Sequence, residues 1–286
     1  MRGAEEPQLH VEEHGEGDAL LLIQGLGQGS WVWREHVPAF AEHWRTIVFD
    51  TRGTGRSPAA SEPYGIADLA DDAVRILRGR EAHVVGFSMG GYVALTLALA
   101  RPELVRSLVL AGTGAGGRER VPRPEHVRRV FAEAWGLPTD EFARRTLPYT
   151  FASGWAERNP ERFEAILAAR AELPTSYETI EAHAEACYGF YAAEIEVERI
   201  EAPALVVHGD ADLIVPVENG RRLADRLPHA ELSELPGRGH NLMLEEPDEF
   251  THLVVDFLSR ASRRRRRPRT PSRRGRAAAR NPTGRR

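Results

Sequence analysis

Apolar residues fall along this chain in short, dense runs. Ala19-Leu20-Leu21-Leu22-Ile23 and Thr46-Ile47-Val48-Phe49 come first. Each is too short for a buried helix and ends in glycine- or turn-rich sequence, which marks a strand buried on both faces. His83-Val84-Val85-Gly86-Phe87, Ser107-Leu108-Val109-Leu110-Ala111 and Ala204-Leu205-Val206-Val207-His208 repeat the pattern, and residues 231–235 read as a last strand. Between these runs the period turns helical. Across residues 66–77, Leu69, Ala70, Ala73, Val74 and Leu77 share one face, while Asp68, Asp71, Asp72 and Arg75 share the other. Residues 33–44, 217–227 and 248–258 also read as helices. Residues 89–100 form an apolar helix that stops near Arg101-Pro102. Strands alternating with helices predict an α/β protein with a mostly parallel central sheet covered on both faces.

The rhythm breaks after Thr113-Gly114-Ala115-Gly116-Gly117. From there to about residue 200 the patterns are helical, with candidate helices at 161–173 and 175–190, and aromatic residues are enriched. The expected organisation is a core of 1–112 and 201–259, with a helical cap at 113–200 inserted before the last two strands. Residues 260–286 show no apolar period. They hold too little apolar surface to offset the entropy of ordering, so disorder is expected there.

Composition adds three points. The net charge of −4 conceals an asymmetry, because residues 260–286 hold 13 arginines and no acid. The rest of the chain sets 25 arginines against 42 acidic residues, a balance of −17. Such an acidic body argues against nucleic acid as a partner of the folded part, leaving polyanion binding open only to the arginine-rich tail. Lysine is absent, which excludes a Schiff-base mechanism. Cys187 is the single cysteine, so neither an internal disulfide nor a cysteine metal cluster is expected. The N-terminus lacks a signal-peptide pattern, and no apolar run approaches the roughly 20 residues of a membrane span. These features fit a cytoplasmic protein that does not engage membranes.

The candidate chemistry centres on Gly86-Phe87-Ser88-Met89-Gly90-Gly91, set between a predicted strand and a predicted helix. That turn is tight enough to hold a serine in a strained conformation with its hydroxyl lifted clear of the backbone. Gly86 and Gly90 leave room where side chains would collide. A serine nucleophile needs a base. Pro236-Gly237-Arg238-Gly239-His240-Asn241 offers one after the last strand, where glycines let the loop bend back. The other histidines read as structural or solvated: His208 and His83 as packing, His36 and His183 as solvated or half-buried rings. The imidazole needs a carboxylate. Asp210 and Asp212 both follow the 204–208 strand, and the spacing favours Asp212. The alternative position, the loop 112–117, contains no acid. The N–H of Met89 and that of Leu26, in the glycine-rich loop 24–29, are candidate oxyanion donors. Trp31, Trp33, Trp135 and Trp155 are candidate pocket residues. No cofactor or metal is expected.

Together these motifs resemble the α/β-hydrolase superfamily over residues 9–258. The order Ser88, Asp212, His240 is that family's triad order. Residues 208–216 resemble its acid turn, with the aspartate falling on Asp212, and Gly239-His240 resembles its histidine turn. Residues 50–57 are similar to a structural turn of the family. The chain departs at Gln24-Gly25, where many members carry His-Gly. The Gly-Leu-Gly loop and Ser-Met-Gly-Gly elbow are most similar to enol-lactonases and small carboxylesterases. Relatives that hydrolyse epoxides or haloalkanes carry aspartate at the nucleophile, unlike Ser88. The resemblance implies a serine hydrolase that cleaves an ester or lactone of a small apolar or aromatic substrate. Carbon–carbon bond or thioester hydrolysis and perhydrolysis by the same triad remain open, as does a non-enzymatic ligand-binding role.

Overall fold

A computed structural model describes residues 8–266. Seven strands form one sheet: β1 (Val11–His14), β2 (Ala19–Ile23), β3 (Arg45–Phe49), β4 (Ala82–Phe87), β5 (Val105–Ala111), β6 (Ala204–Gly209) and β7 (Ala230–Leu235). Their order is β1-β3-β2-β4-β5-β6-β7. β1 runs antiparallel to β3, and the remaining pairs are parallel. This is the α/β architecture that the apolar runs predict. β1 escaped the sequence reading because Val11-Glu12-Glu13-His14 is a half-exposed edge strand with no apolar run.

The side-chain alternation of each strand divides the core in two. Leu21, Ile23, Val84 and Leu110 pack on one face against α2 (Ile66–Leu77), α3 (Met89–Ala100) and α9 (Val217–Arg226). Leu20, Leu22, Val85 and Val109 pack on the other against α1 (Val37–Ala41) and Phe250, Val254 and Leu258 of α11 (Pro247–Arg266). Leu20 to Ile23 are all fully buried, each worth about 1.5–3 kcal/mol relative to exposure.

Between β5 and β6 lie α4 (Glu125–Ala134), α5 (Thr139–Thr146), α6 (Trp155–Arg158), α7 (Pro160–Glu172) and α8 (Tyr177–Ala192). The expected helical insertion is therefore present. No helix among the described residues is long and apolar enough to cross a membrane.

Two expectations need correction. Residues 33–44 are not one helix. A 3-10 turn spans Ser30–Trp33, and the short α1 has proline in its first turn. The last helix also runs past residue 258 into the segment expected to be disordered from residue 260. Ala261 is buried, Ser262 Oγ lies 3.1 Å from His83 Nε2, and Arg260 pairs with Glu231 and Asp256. Those contacts supply the burial that composition alone could not show. Residues 267–286, the remainder of that tail, lie outside the described residues.

Sheet register positions the site. Ile23 sits beside Gly86, Phe87 beside Ala111, and Gly209 beside Leu235. The loops after β2, β4, β6 and β7 therefore emerge along one edge of the sheet, at the carboxyl ends of its parallel strands.

Candidate active site

Ser88 connects β4 to α3 at φ 53°, ψ −116°. Among the described residues, Arg78 is the one other non-glycine residue with positive φ. A serine held there is strained, and its surroundings account for why it stays. Its N–H donates to the Ala111 carbonyl at 2.8 Å, and its own carbonyl accepts from Thr113 Oγ1 at 2.9 Å. A Cβ on Gly86 would stand 2.4 Å from the Gly90 carbonyl oxygen, and one on Gly90 would stand 2.1 Å from that of Ile23. The glycines flanking the serine are therefore required by backbone-to-backbone approach.

His240 Nε2 lies 3.0 Å from Ser88 Oγ, and its Nδ1 lies 2.7 Å from Asp212 Oδ2. The other oxygen of Asp212 accepts from the N–H groups of Ile214 and Val215, at 2.7 and 2.8 Å. His208 Nε2 lies 3.3 Å from Asp212 Oδ2 and 2.7 Å from the Val215 carbonyl oxygen. Burial alone would raise the pKa of Asp212. The His240 charge, the hydrogen bonds from His208 and His240, and the His208 charge outweigh it and hold the carboxyl well below the usual range. The aspartate is a fixed anion beside the imidazole. Asp210, the alternative acid, is exposed, and its carboxylate accepts from the Gly237 N–H at 2.7 Å instead.

The histidine loop is clamped to the helical insertion. Glu245 Oε1 accepts from the N–H groups of Ala152 and Gly239 at 2.8 and 2.9 Å, and the Asn241 N–H donates to the Thr150 carbonyl at 2.7 Å. The turn 50–57 is structural. The Asp50 carboxylate accepts from the N–H groups of Ser30 and Arg56, and Arg52 makes a two-point pair with Asp72. Gln24 Nε2 donates to the Phe49 carbonyl at 2.9 Å, tying the loop after β2 to β3.

A cavity of about 530 Å³ reaches Ser88 and His240, and both Leu26 and Met89 line it. No protein acceptor among the described residues takes the backbone N–H of either. The cavity wall is apolar and aromatic, with Phe131, Phe142, Leu147 and Ile180, and it also carries arginines from the insertion. Of the four tryptophans singled out, Trp135 lines the cavity. Trp33 is fully buried against His36 and Phe250, Trp155 stacks on Phe151, and Trp31 packs on that same core. Those three belong to packing, Trp31 and Trp33 from the 3-10 turn and Trp155 from the insertion all meeting one core cluster.

Two histidines are corrected as well. His36 and His183 are fully buried, and burial drives each down to about 4. Cys187 lines the cavity, but burial pushes its thiol up to about 12, which makes it a poor nucleophile. Sequence reasoning missed the cavity arginines Arg123 and Arg170 altogether. In a chain where every lysine position is taken by arginine, nothing local distinguishes them. No group of three or more histidine, cysteine, aspartate or glutamate side chains among the described residues is arranged to hold a metal ion.

Comparison with known proteins identifies the family. Residues 18–247 match the family described as the alpha/beta hydrolase fold. A Variovorax paradoxus protein provisionally named carbamate hydrolase RutD is 34% identical over 265 residues, covering 89% of this chain and 97% of its own length. A Paraburkholderia phymatum 2-hydroxy-6-oxononadienedioate/2-hydroxy-6-oxononatrienedioate hydrolase is 32% identical over 276 residues, covering 90% of this chain and 93% of its own. The crystal structure of the enol-lactonase from Burkholderia xenovorans superposes with a TM-score of 0.75 at 30% identity, over 88% of this chain and 97% of the other. The chain belongs to the α/β-hydrolase family.

Proposed function

We propose that this α/β-hydrolase is a serine hydrolase that cleaves a carboxylic ester or lactone of a small apolar or aromatic molecule through an acyl-enzyme on Ser88. One observation carries the reading: the hydrogen-bonded line Ser88 Oγ, His240, Asp212, at 3.0 and 2.7 Å, built on a strained elbow.

The geometry supports the following steps. His240 Nε2 takes the Ser88 proton as Oγ attacks the carbonyl carbon. The backbone N–H groups of Leu26 and Met89 receive the oxyanion, and the start of α3 adds a favourable dipole. Collapse of the tetrahedral intermediate breaks the bond to the leaving oxygen, which takes the proton from His240. Water then gives a proton to His240 and attacks the acyl-enzyme, releasing the acid and restoring Ser88. Asp212 holds the tautomer of His240 and stabilises its charged form. The partner in this reading is a small-molecule substrate, with no cofactor and no metal.

The names of the relatives favour testing other substrates on the same triad, a carbamate and a 2-hydroxy-6-oxo dienedioate among them. Turnover of an ester, lactone, carbamate and carbon–carbon panel by wild type and Ser88→Ala decides the matter. Loss of about 10⁴-fold or more in kcat on Ser88→Ala is expected. Normal ester turnover by Ser88→Ala would overturn the nucleophile assignment. Failure of wild type to react with a serine-directed phosphonate would favour a ligand-binding role.

A further inference from the structure

Charge is distributed unevenly around the cavity. Acidic residues outnumber arginines in the body of the chain, yet no aspartate or glutamate lines the cavity, while Arg120, Arg123, Arg128 and Arg170 do. Arg128 is exposed and paired with Glu125. The side chains of Arg120, Arg123 and Arg170 have neither an ion pair nor a hydrogen bond among the described residues. Elsewhere arginines find carboxylates readily, as in Arg52–Asp72, Arg221–Glu234 and Arg226–Glu198.

Two of these arginines are held in place by other means. The guanidinium of Arg120 stands 4.3 Å from the Tyr191 ring centre, and that of Arg123 stands 4.5 Å from that of Phe131. Stacking fixes the plane of a guanidinium while leaving its N–H groups available. Arg123 and Arg170 are half-buried, and desolvation lowers the pKa of each guanidinium. Arginine nevertheless stays protonated, so each is a partly dehydrated cation with no ion-pair partner among the described residues, the charge of Asp212 acting on Arg123 without a direct contact. Such a group is costly unless an anion arrives to meet it.

We propose that the cavity takes a substrate bearing a carboxylate remote from the scissile bond, with Arg123 and Arg170 as its receptors. The inference rests on the hydrolase reading for which bond is cleaved, and it adds what the rest of the molecule carries. A guanidinium meets a carboxylate through two parallel N–H···O bonds, a geometry lysine cannot offer. The aromatic and aliphatic wall then receives the carbon skeleton between the carboxylate and the reacting carbonyl.

Binding and turnover test this separately. By calorimetry on the full-length Ser88→Ala protein, phenylbutyrate should bind at least about tenfold more tightly than its neutral isostere phenylbutyramide, as a charged hydrogen-bonded pair does. That preference should vanish in Arg123→Gln/Arg170→Gln and persist in Arg123→Lys/Arg170→Lys, with unfolding midpoints showing that both variants fold. In turnover by the protein with Ser88 intact, the free-carboxylate monoethyl ester of adipate should exceed diethyl adipate in kcat/KM by about tenfold, and the glutamine variant should lose that ratio. Equal binding of acid and amide, or a preference that survives the glutamine variant, overturns the proposal. Tighter binding of phenylpropyl phosphate than of phenylbutyrate overturns the assignment to carboxylates. If neither ester is cleaved but phenylbutyrate keeps its arginine-dependent preference, the ester-bond reading fails and the carboxylate site stands. If both esters are cleaved equally, the reverse holds.

Discussion

The backbone N–H of Gly27 donates to Nδ1 of His183 across 3.1 Å, joining the loop after β2 to a helix 156 residues later. Thr175 Oγ1 donates to the Gly27 carbonyl, also at 3.1 Å. Both backbone groups of Gly27 are therefore held from the helical insertion, and the N–H so held belongs to the peptide that follows Leu26, a proposed oxyanion donor. His183 is a positioning residue in this arrangement. His183→Ala is expected to lower kcat by about tenfold with a smaller change in KM, because the loop matters most as charge develops. His183→Asn, whose side-chain oxygen offers an acceptor, should recover part of the loss. A purely structural role would shift the unfolding midpoint without this split or rescue.

Asp212 and Asp210 sit two residues apart and should behave oppositely. Asp212→Asn removes the anion that holds the tautomer of His240, so kcat should fall by about 10⁴-fold. Asp210→Asn alters an exposed contact to the Gly237 N–H and should stay within about threefold, since one surface hydrogen bond is worth little. Steady-state kinetics on any cleaved ester reads both. A large loss on Asp210→Asn would move the acid role.

Stability should fall as pH drops below about 6.5. His36, His83 and His183 are buried, and burial depresses each to about 4. The unfolded rings take protons near 6.5, whereas the folded rings resist until about 4. The unfolded chain thus binds more protons in that window. Stability contributed by the neutral rings is complete above 6.5 and is lost progressively toward 4, by on the order of 3 kcal/mol per ring at most. Denaturant titrations from pH 7.5 to 4.5 measure it. A flat profile would show that the folded rings titrate normally.

Tryptophan substitutions separate core from cavity. Trp33→Ala empties a fully buried site and should cost about 3–5 kcal/mol of stability. Trp135 is 46% exposed at the cavity, so Trp135→Ala should leave stability within about 0.5 kcal/mol and change KM. Chemical denaturation and kinetics on the two variants report each effect.

Gly90→Ala is expected to prevent folding or cost several kcal/mol, because its Cβ meets the Ile23 carbonyl oxygen at 2.1 Å. Gly237→Ala meets no atom within 4 Å and strains only φ 69°, a cost of about 1 kcal/mol. Unfolding midpoints of the pair test whether the elbow demands space or merely backbone freedom.

Much of this molecule was legible one residue at a time. Short apolar runs marked five of the seven strands, β2 to β6, because a parallel strand buried on both faces needs apolar side chains at nearly every position. The elbow was legible because its geometry tolerates glycine alone at Gly86 and Gly90, and the order Ser88, Asp212, His240 was legible through its resemblance to the α/β-hydrolase triad. Only the tertiary structure decided the rest. Asp212 and Asp210 are the same chemical group, and the choice between them depended on a turn that aims one carboxylate inward and leaves the other in water. His183 read as a solvated or half-buried ring and Trp33 as a pocket residue, because burial against residues far away in the chain leaves no local pattern. Arg123 and Arg170 were indistinguishable among 38 arginines. What sets them apart is their place in the wall of a cavity whose described lining includes no aspartate or glutamate, a property of the assembled structure that no stretch of sequence contains.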